Sequence, residues 1–144
     1  ITHEEMTRFN ISLQDGVDMV MHALQNHLGG EIFIPKIPSY KILDVAEAVA
    51  PGCKIKVVGI RPGEKLHEEM ITDTDSLNTI DVGRYYAILP SVSYTFTDKQ
   101  YLEHHNADRV EFGFKYTSGN NLDWETVDSL RDLIKLHVDP NFQV

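Results

Sequence analysis

Residues 29–69 read GGEIFIPKIPSYKILDVAEAVAPGCKIKVVGIRPGEKLHEE, and their alternation decides the fold class. The run 31–35, EIFIP, is short, apolar and bounded by glycine and proline, which predicts a strand. Pro38 and Ser39 then open a segment in which Ile42, Leu43, Val45, Ala46 and Val49 recur at helical spacing, and Pro51-Gly52 closes it. The β-branched run 54–60, KIKVVGI, predicts a second strand, followed by a Pro-Gly turn and a short helix over EKLHEEMI. Strand, helix and strand in succession argue for an α/β organisation.

Outward from this stretch the pattern continues. Upstream, Ser12 caps a helix, with Asp15 as its capping-box partner. Its inward face carries Leu13, Val17, Val20, Met21, Leu24 and Leu28, and Gly29-Gly30 ends it. Downstream, 84–89 (RYYAIL) predicts a strand, 90–107 reads as polar and irregular, and VEFGFKYTSG predicts a strand running into a loop. Thr126 caps a last helix with Val127, Leu130, Leu133 and Ile134 inward. No internal repeat or low-complexity tract is present. The 144 residues leave room for one core and no separate second domain. The chain opens on Ile1, without Met and inside a structured segment, so it reads as part of a longer protein.

Composition narrows the function. A formal net charge of -9 argues against nucleic acid as the main partner. No apolar run approaches the ~20 residues that cross a bilayer, and a lone cysteine, Cys53, builds no disulfide framework and suits a reducing compartment. The glycine-rich loops for a dinucleotide or ATP are missing, no tyrosine is followed four residues later by lysine, and no HExxH occurs. What stands out instead is cationic. Arg61 follows the 54–60 run, where strand ends in α/β folds face ligands, and Pro62-Gly63 turns the backbone so that Arg61 and Glu64 project together. An acidic chain that holds an anion needs a local basic pocket, and Arg8, Lys36, Arg61 and Lys65 are its candidates. The residues alone leave open whether Arg61 binds phosphate or pairs with a surface acid.

Three long segments, MTRFNISLQDGVDMV, GGEIFIPKIPSYKILDVAEAVAP and VGIRPGEKLHEEMIT, together with GRYYAIL and GFKYTSGNNLDWETVDSLRDLI, resemble the C-terminal half of nucleotide-sugar 4,6-dehydratases. The likeness is to the inverting UDP-N-acetylglucosamine group of the extended short-chain dehydrogenases/reductases, which make bacterial surface-glycan sugars. The resemblance implies the substrate-binding portion of such an enzyme, with the NADP-binding Rossmann half and its Tyr-x-x-x-Lys pair absent from this chain. It implies oxidation at sugar C4, loss of water across C5 and C6, and hydride return at C6, with no catalytic residue here and this portion inactive alone. It also implies a cytoplasmic homo-oligomer acting on a UDP-sugar. By the family's pattern, Arg8 in RFNI and Arg61 before Pro-Gly meet the pyrophosphate, and Glu64 meets the ribose hydroxyls. Lys36 and Tyr40 in PKIPSY lie near the substrate cleft. Asn10 stands where many relatives carry an aromatic residue. His67, Glu68 and Glu69 read as helix surface or subunit contacts, and Trp124 as packing. An epimerase relative on the same scaffold, or a non-catalytic nucleotide-sugar-binding or assembly domain, would use the same anion-binding residues.

Overall fold

The computed structural model describes residues 1–92 and 95–144. The chain divides into two compact units, interleaved in sequence: Ile1–Ser12, Ile37–Glu68 and Thr117–Val144 form the first, Leu13–Lys36 and Glu69–Tyr116 the second. The elements run β1 (Thr7–Phe9), α1 (Leu13–Asn26), β2 (Ile32–Pro35), β3 (Ser39–Lys41), α2 (Ile42–Val49), β4 (Glu69–Ile71), a 3-10 turn (Asp75–Asn78), β5 (Thr79–Asp81), β6 (Tyr85–Ile88), α3 (Asp98–His105), β7 (Asp108–Arg109), β8 (Tyr116–Thr117) and α4 (Val127–His137). Helices and strands are mixed as the sequence predicts.

In the first unit, β1 and β3 form an antiparallel ribbon that sets Arg8 opposite Tyr40. The helices α2 and α4 pack on each other, burying Ala48 and Leu130. Thr126 caps α4 as expected: its hydroxyl accepts from Ser129 N at 3.1 Å, and Ser129 Oγ accepts from Thr126 N at 2.8 Å. Arg131 on α4 donates to the Ala48 and Glu47 carbonyls, both at 3.3 Å, and so satisfies the end of α2.

Three expectations fail in this unit. Pro38-Ser39 do not open the second helix: Ser39–Lys41 form β3 against β1, and the helix begins at Ile42. The run 54–60 forms no strand. Among the described residues its backbone hydrogen-bonds to the chain start, through Val58 N to Ile1 O and the Ile1 amino group to Lys56 O, each 2.9 Å. β-branched residues favour a strand only where a neighbouring strand accepts their ladder and covers their side chains. Among the described residues none does, and Ile55, Val57, Val58 and Ile60 stay exposed. The short helix over EKLHEEMI is also absent. Residues 64–68 hold no regular structure, and β4 follows directly.

The second unit is built on an antiparallel sheet of order β2-β6-β5-β7. Its core is Ile80, Ala87, Leu89 and, from α3, Tyr101. Helix α3 falls inside the stretch that reads as irregular; Ser93 and Tyr94 of that stretch lie outside the described residues. Its start is a capping box, Thr97 with Gln100, but DKQYLEHH is too polar for an apolar period to show. The helix fastens the turn after α1: Tyr101 Oη donates to Gly29 O at 2.5 Å, and His104 Nε2 lies 2.8 Å from Asn26 O. His105 Nε2 meets the buried Glu31 carboxylate at 3.1 Å. That carboxylate also accepts from Leu28 N and Gly29 N, both at 2.7 Å.

Helix α1 is amphipathic, but its apolar stripe is not buried in this chain. Leu13 is 87% and Leu24 64% exposed, and Val17, Val20 and Met21 are exposed with them. Its polar His22 packs instead, with ring centroids 5.3 Å from Phe33 and 4.4 Å from Tyr85. An apolar stripe of this kind favours association. We expect the chain to self-associate in sedimentation velocity, and Leu13→Lys with Leu24→Lys to reduce that association. A wild-type chain that is monodisperse and monomeric at all concentrations contradicts this.

The half-buried His22 should also make stability pH-dependent. Burial, with the nearby His105 and Arg84 charges, holds its imidazole below the ordinary value of 6.5. The unfolded chain therefore takes up a proton near pH 6.5 that the folded chain resists, and stability is lost as pH falls through that value. Glu31 acts lower. Burial pushes its carboxyl up, but the hydrogen bonds from backbone N–H groups and His105 outweigh burial and hold it below 4.5. Its contribution is thus lost only below that pH. Melting temperature should fall between about pH 7.5 and about pH 5.5, and His22→Gln should flatten that fall. An equal fall in both proteins would remove His22 from the account.

Candidate functional site

The first unit gathers five of the six site residues singled out in the sequence, all but Lys36. At its centre is the turn at Arg61–Glu64. Glu64 N donates to Arg61 O at 3.0 Å, Pro62 fills the second position and Gly63 the third with φ +82°. This is a type II turn, whose third position demands a positive φ and so favours glycine. The Glu64 carboxylate closes the loop a second time by accepting from Arg61 N at 3.1 Å. The turn thus fixes the backbone of both residues, although no strand precedes it. The Arg61 guanidinium itself is exposed, with no ion-pair or hydrogen-bond partner among the described residues.

Arg8 is the opposite case. Its side chain is 19% exposed and lies 3.7 Å from Glu64 Oε1 and 3.8 Å from Glu68 Oε1. It donates to Thr7 O at 2.7 Å and Leu66 O at 3.3 Å, and Nη2 lies 3.1 Å from Met6 Sδ. Its guanidinium plane is therefore held from several sides before any ligand arrives. Tyr40, its cross-strand partner, is half-buried. Burial raises its phenol pKa, and the Glu68 carboxylate raises it further against the opposing charge of Arg8.

Glu68 is the residue the sequence reading missed. It sits on no helix surface: its carboxylate accepts from Phe9 N at 3.0 Å and faces Arg8. Behind it, buried Thr7 and Ser118 join His67, with Thr7 Oγ1 2.8 Å from His67 Nδ1 and 2.7 Å from Ser118 Oγ. The missed signal was the polar run HEE directly after the turn, read as helix because its charges suit one. Asn10 donates to Glu125 Oε1 at 3.1 Å. Trp124 ties Nε1 to Asn121 O at 2.7 Å, with Lys41 over its ring.

Lys36 belongs to the second unit. Its ammonium is held by both Asp81 oxygens, at 2.6 and 2.7 Å, and lies 4.3 Å above the Tyr86 ring. Lys65 is exposed beside the turn. The β1–β3 ribbon and the four-stranded sheet both pair antiparallel.

Chemically, the 61–68 stretch supplies one guanidinium and two carboxylates, and β1 brings a second guanidinium, Arg8, against those carboxylates. One guanidinium is clamped and one is free. That arrangement suits an anion with several oxygens, which the free group can grip in a bidentate way while the clamped group supplies fixed positive charge.

Fold and site together define a mixed helix-and-strand protein with an arginine-carboxylate cluster on a rigid turn. The chain belongs to the polysaccharide biosynthesis protein family, whose model matches residues 1–90. It is 46% identical over 93% of its length to a UDP-N-acetylglucosamine 4,6-dehydratase (inverting) of Campylobacter jejuni. It is 38% identical over 61% of its length to a UDP-glucose 4-epimerase of Rickettsia akari. The chain spans 41% of the first relative's length and 27% of the second's. The X-ray structure of Pen from Bacillus thuringiensis superposes with a TM-score of 0.71 at 28% identity, covering 93% of this chain and 40% of that one.

The two arginines should separate in stability measurements. Arg8→Ala leaves the Leu66 carbonyl and two carboxylates short of a partner and should cost about 1–3 kcal/mol. Arg61→Ala should change stability by less than about 0.5 kcal/mol. Equal losses in urea unfolding would contradict the contrast.

Proposed function

We propose that this chain supplies the nucleotide-sugar grip of a UDP-N-acetylglucosamine 4,6-dehydratase that makes sugars for bacterial surface glycans. The observation that carries the reading is the uncommitted Arg61 guanidinium on a turn locked at both ends, beside the clamped Arg8. Arg61 takes the diphosphate oxygens, and Arg8 adds charge from the ribbon. Glu64 is an acceptor for ribose hydroxyls, and Tyr40 lines the cleft beside Arg8. Lys36 would have to give up Asp81 to reach a ligand, so we assign it no diphosphate contact. The named relatives support the substrate class, since the dehydratase and the epimerase both carry a UDP-sugar in their names.

In the intact protein the redox cofactor is NADP, held by residues outside this chain, and no reaction step is assigned to the residues here. We place the protein in the cytoplasm as a homo-oligomer; no helix among the described residues is long and apolar enough to cross a membrane. The epimerase relatives support a second reading, in which the same grip serves inversion at a sugar carbon.

Incubating the intact protein with UDP-N-acetylglucosamine and NADP should yield a 4-keto-6-deoxy sugar nucleotide, seen by NMR. A 4-epimer with C6 unchanged would favour the second reading. Arg61→Ala should weaken UDP binding at least about tenfold in calorimetry. Unchanged affinity would remove Arg61 from the site.

A further inference from the structure

Thr7, Ser118 and His67 form a chain of polar groups for which the proposed grip has no direct use. Thr7 and Ser118 are buried, so each of their hydrogens needs an acceptor inside the protein. Ser118 Oγ accepts from Glu68 N at 2.9 Å. Its own hydrogen then has one acceptor among the described residues, Thr7 Oγ1 at 2.7 Å. Thr7, having accepted, donates in turn to His67 Nδ1 at 2.8 Å. His67 Nδ1 must therefore be bare, and the imidazole carries its proton on Nε2. The opposite direction does not close. If Nδ1 donated to Thr7 and Thr7 to Ser118, the Ser118 hydrogen would be buried with nothing to receive it.

The ordered end of this chain is Glu68. Ser118 holds its backbone on both sides, since Ser118 N also donates to Glu68 O at 2.8 Å. With its backbone so held, the Glu68 carboxylate accepts from Phe9 N and faces Arg8 Nε. At the other end, the His67 ring lies against the backbone of Gly119. A Cβ there would sit 2.7 Å from His67 Cγ and 2.8 Å from Nδ1, so only glycine leaves room for the ring.

We infer that Thr7, Ser118 and His67 are positioning residues: a one-directional relay, Glu68 N–H to Ser118 to Thr7 to His67 Nδ1, sets Glu68 and through it the guanidinium of Arg8. The link to ligand binding rests on the diphosphate reading above; the relay itself does not.

The test has two arms. In long-range proton–nitrogen NMR spectra of the unmodified protein, His67 should be the Nε2–H tautomer. Thr7→Val, which keeps the shape and removes the hydroxyl, should lose that preference and bind UDP about fivefold or more weakly, while Thr7→Ser should restore both. An Nδ1–H tautomer in the unmodified protein overturns the relay without any variant. So does a folded Thr7→Val protein with unchanged tautomer, and unchanged UDP affinity in that protein overturns the positioning of Arg8 through Glu68. If UDP does not bind the unmodified protein, the diphosphate reading fails, and the tautomer with its loss in Thr7→Val and return in Thr7→Ser still decides the relay.

Discussion

The guanidinium of Arg8 ties the first unit's site together. From one position it reaches the Thr7 and Leu66 carbonyls, the Met6 sulfur, and the carboxylates of Glu64 and Glu68. These partners lie on β1 and on the stretch following the turn, segments separated by more than fifty residues of sequence. A planar group with five fixed donors can bridge such segments where a flexible ammonium would not hold the geometry. Without it, the Glu64 and Glu68 carboxylates would lose the positive charge that both face.

That clasp also defines what the site can bind. A chain of net charge -9 repels anions at long range, and two carboxylates stand within the cluster itself. The opposing charge comes from Arg8, fixed before binding, and from Arg61, whose backbone is fixed and whose side chain is free. For the proposed diphosphate, that division would lower the ordering cost of binding, because the turn and the clasped arginine are already held by the chain's own contacts. Lys36 shows the contrast, since its charge is already neutralised by Asp81.

Much of this was legible in the residues. Helices α1, α2 and α4 and strands β2 and β6 follow from apolar period and glycine-proline stops, with the Thr126 cap at α4, because those signals are local. The Pro62-Gly63 turn was legible for the same reason. What was not legible depended on partners distant in sequence. The run 54–60 has every strand preference and no ladder, since β-structure is realised only against a neighbour. The apolar face of α1 has the right period, yet this chain leaves it exposed. Glu68 looked like helix surface because its role is set by Phe9, Arg8 and Ser118, which no spacing rule connects to it. Helix α3 was hidden by its polarity, although its Thr97–Gln100 box was there to be read.

The central claim is that the cluster recognises a diphosphate. Calorimetric titration of the protein with UDP, UMP and uridine tests it most directly. Affinity should fall steeply at each phosphate removed, with UDP far ahead of uridine and its advantage shrinking as salt rises. Equal affinity for UDP and uridine would contradict it.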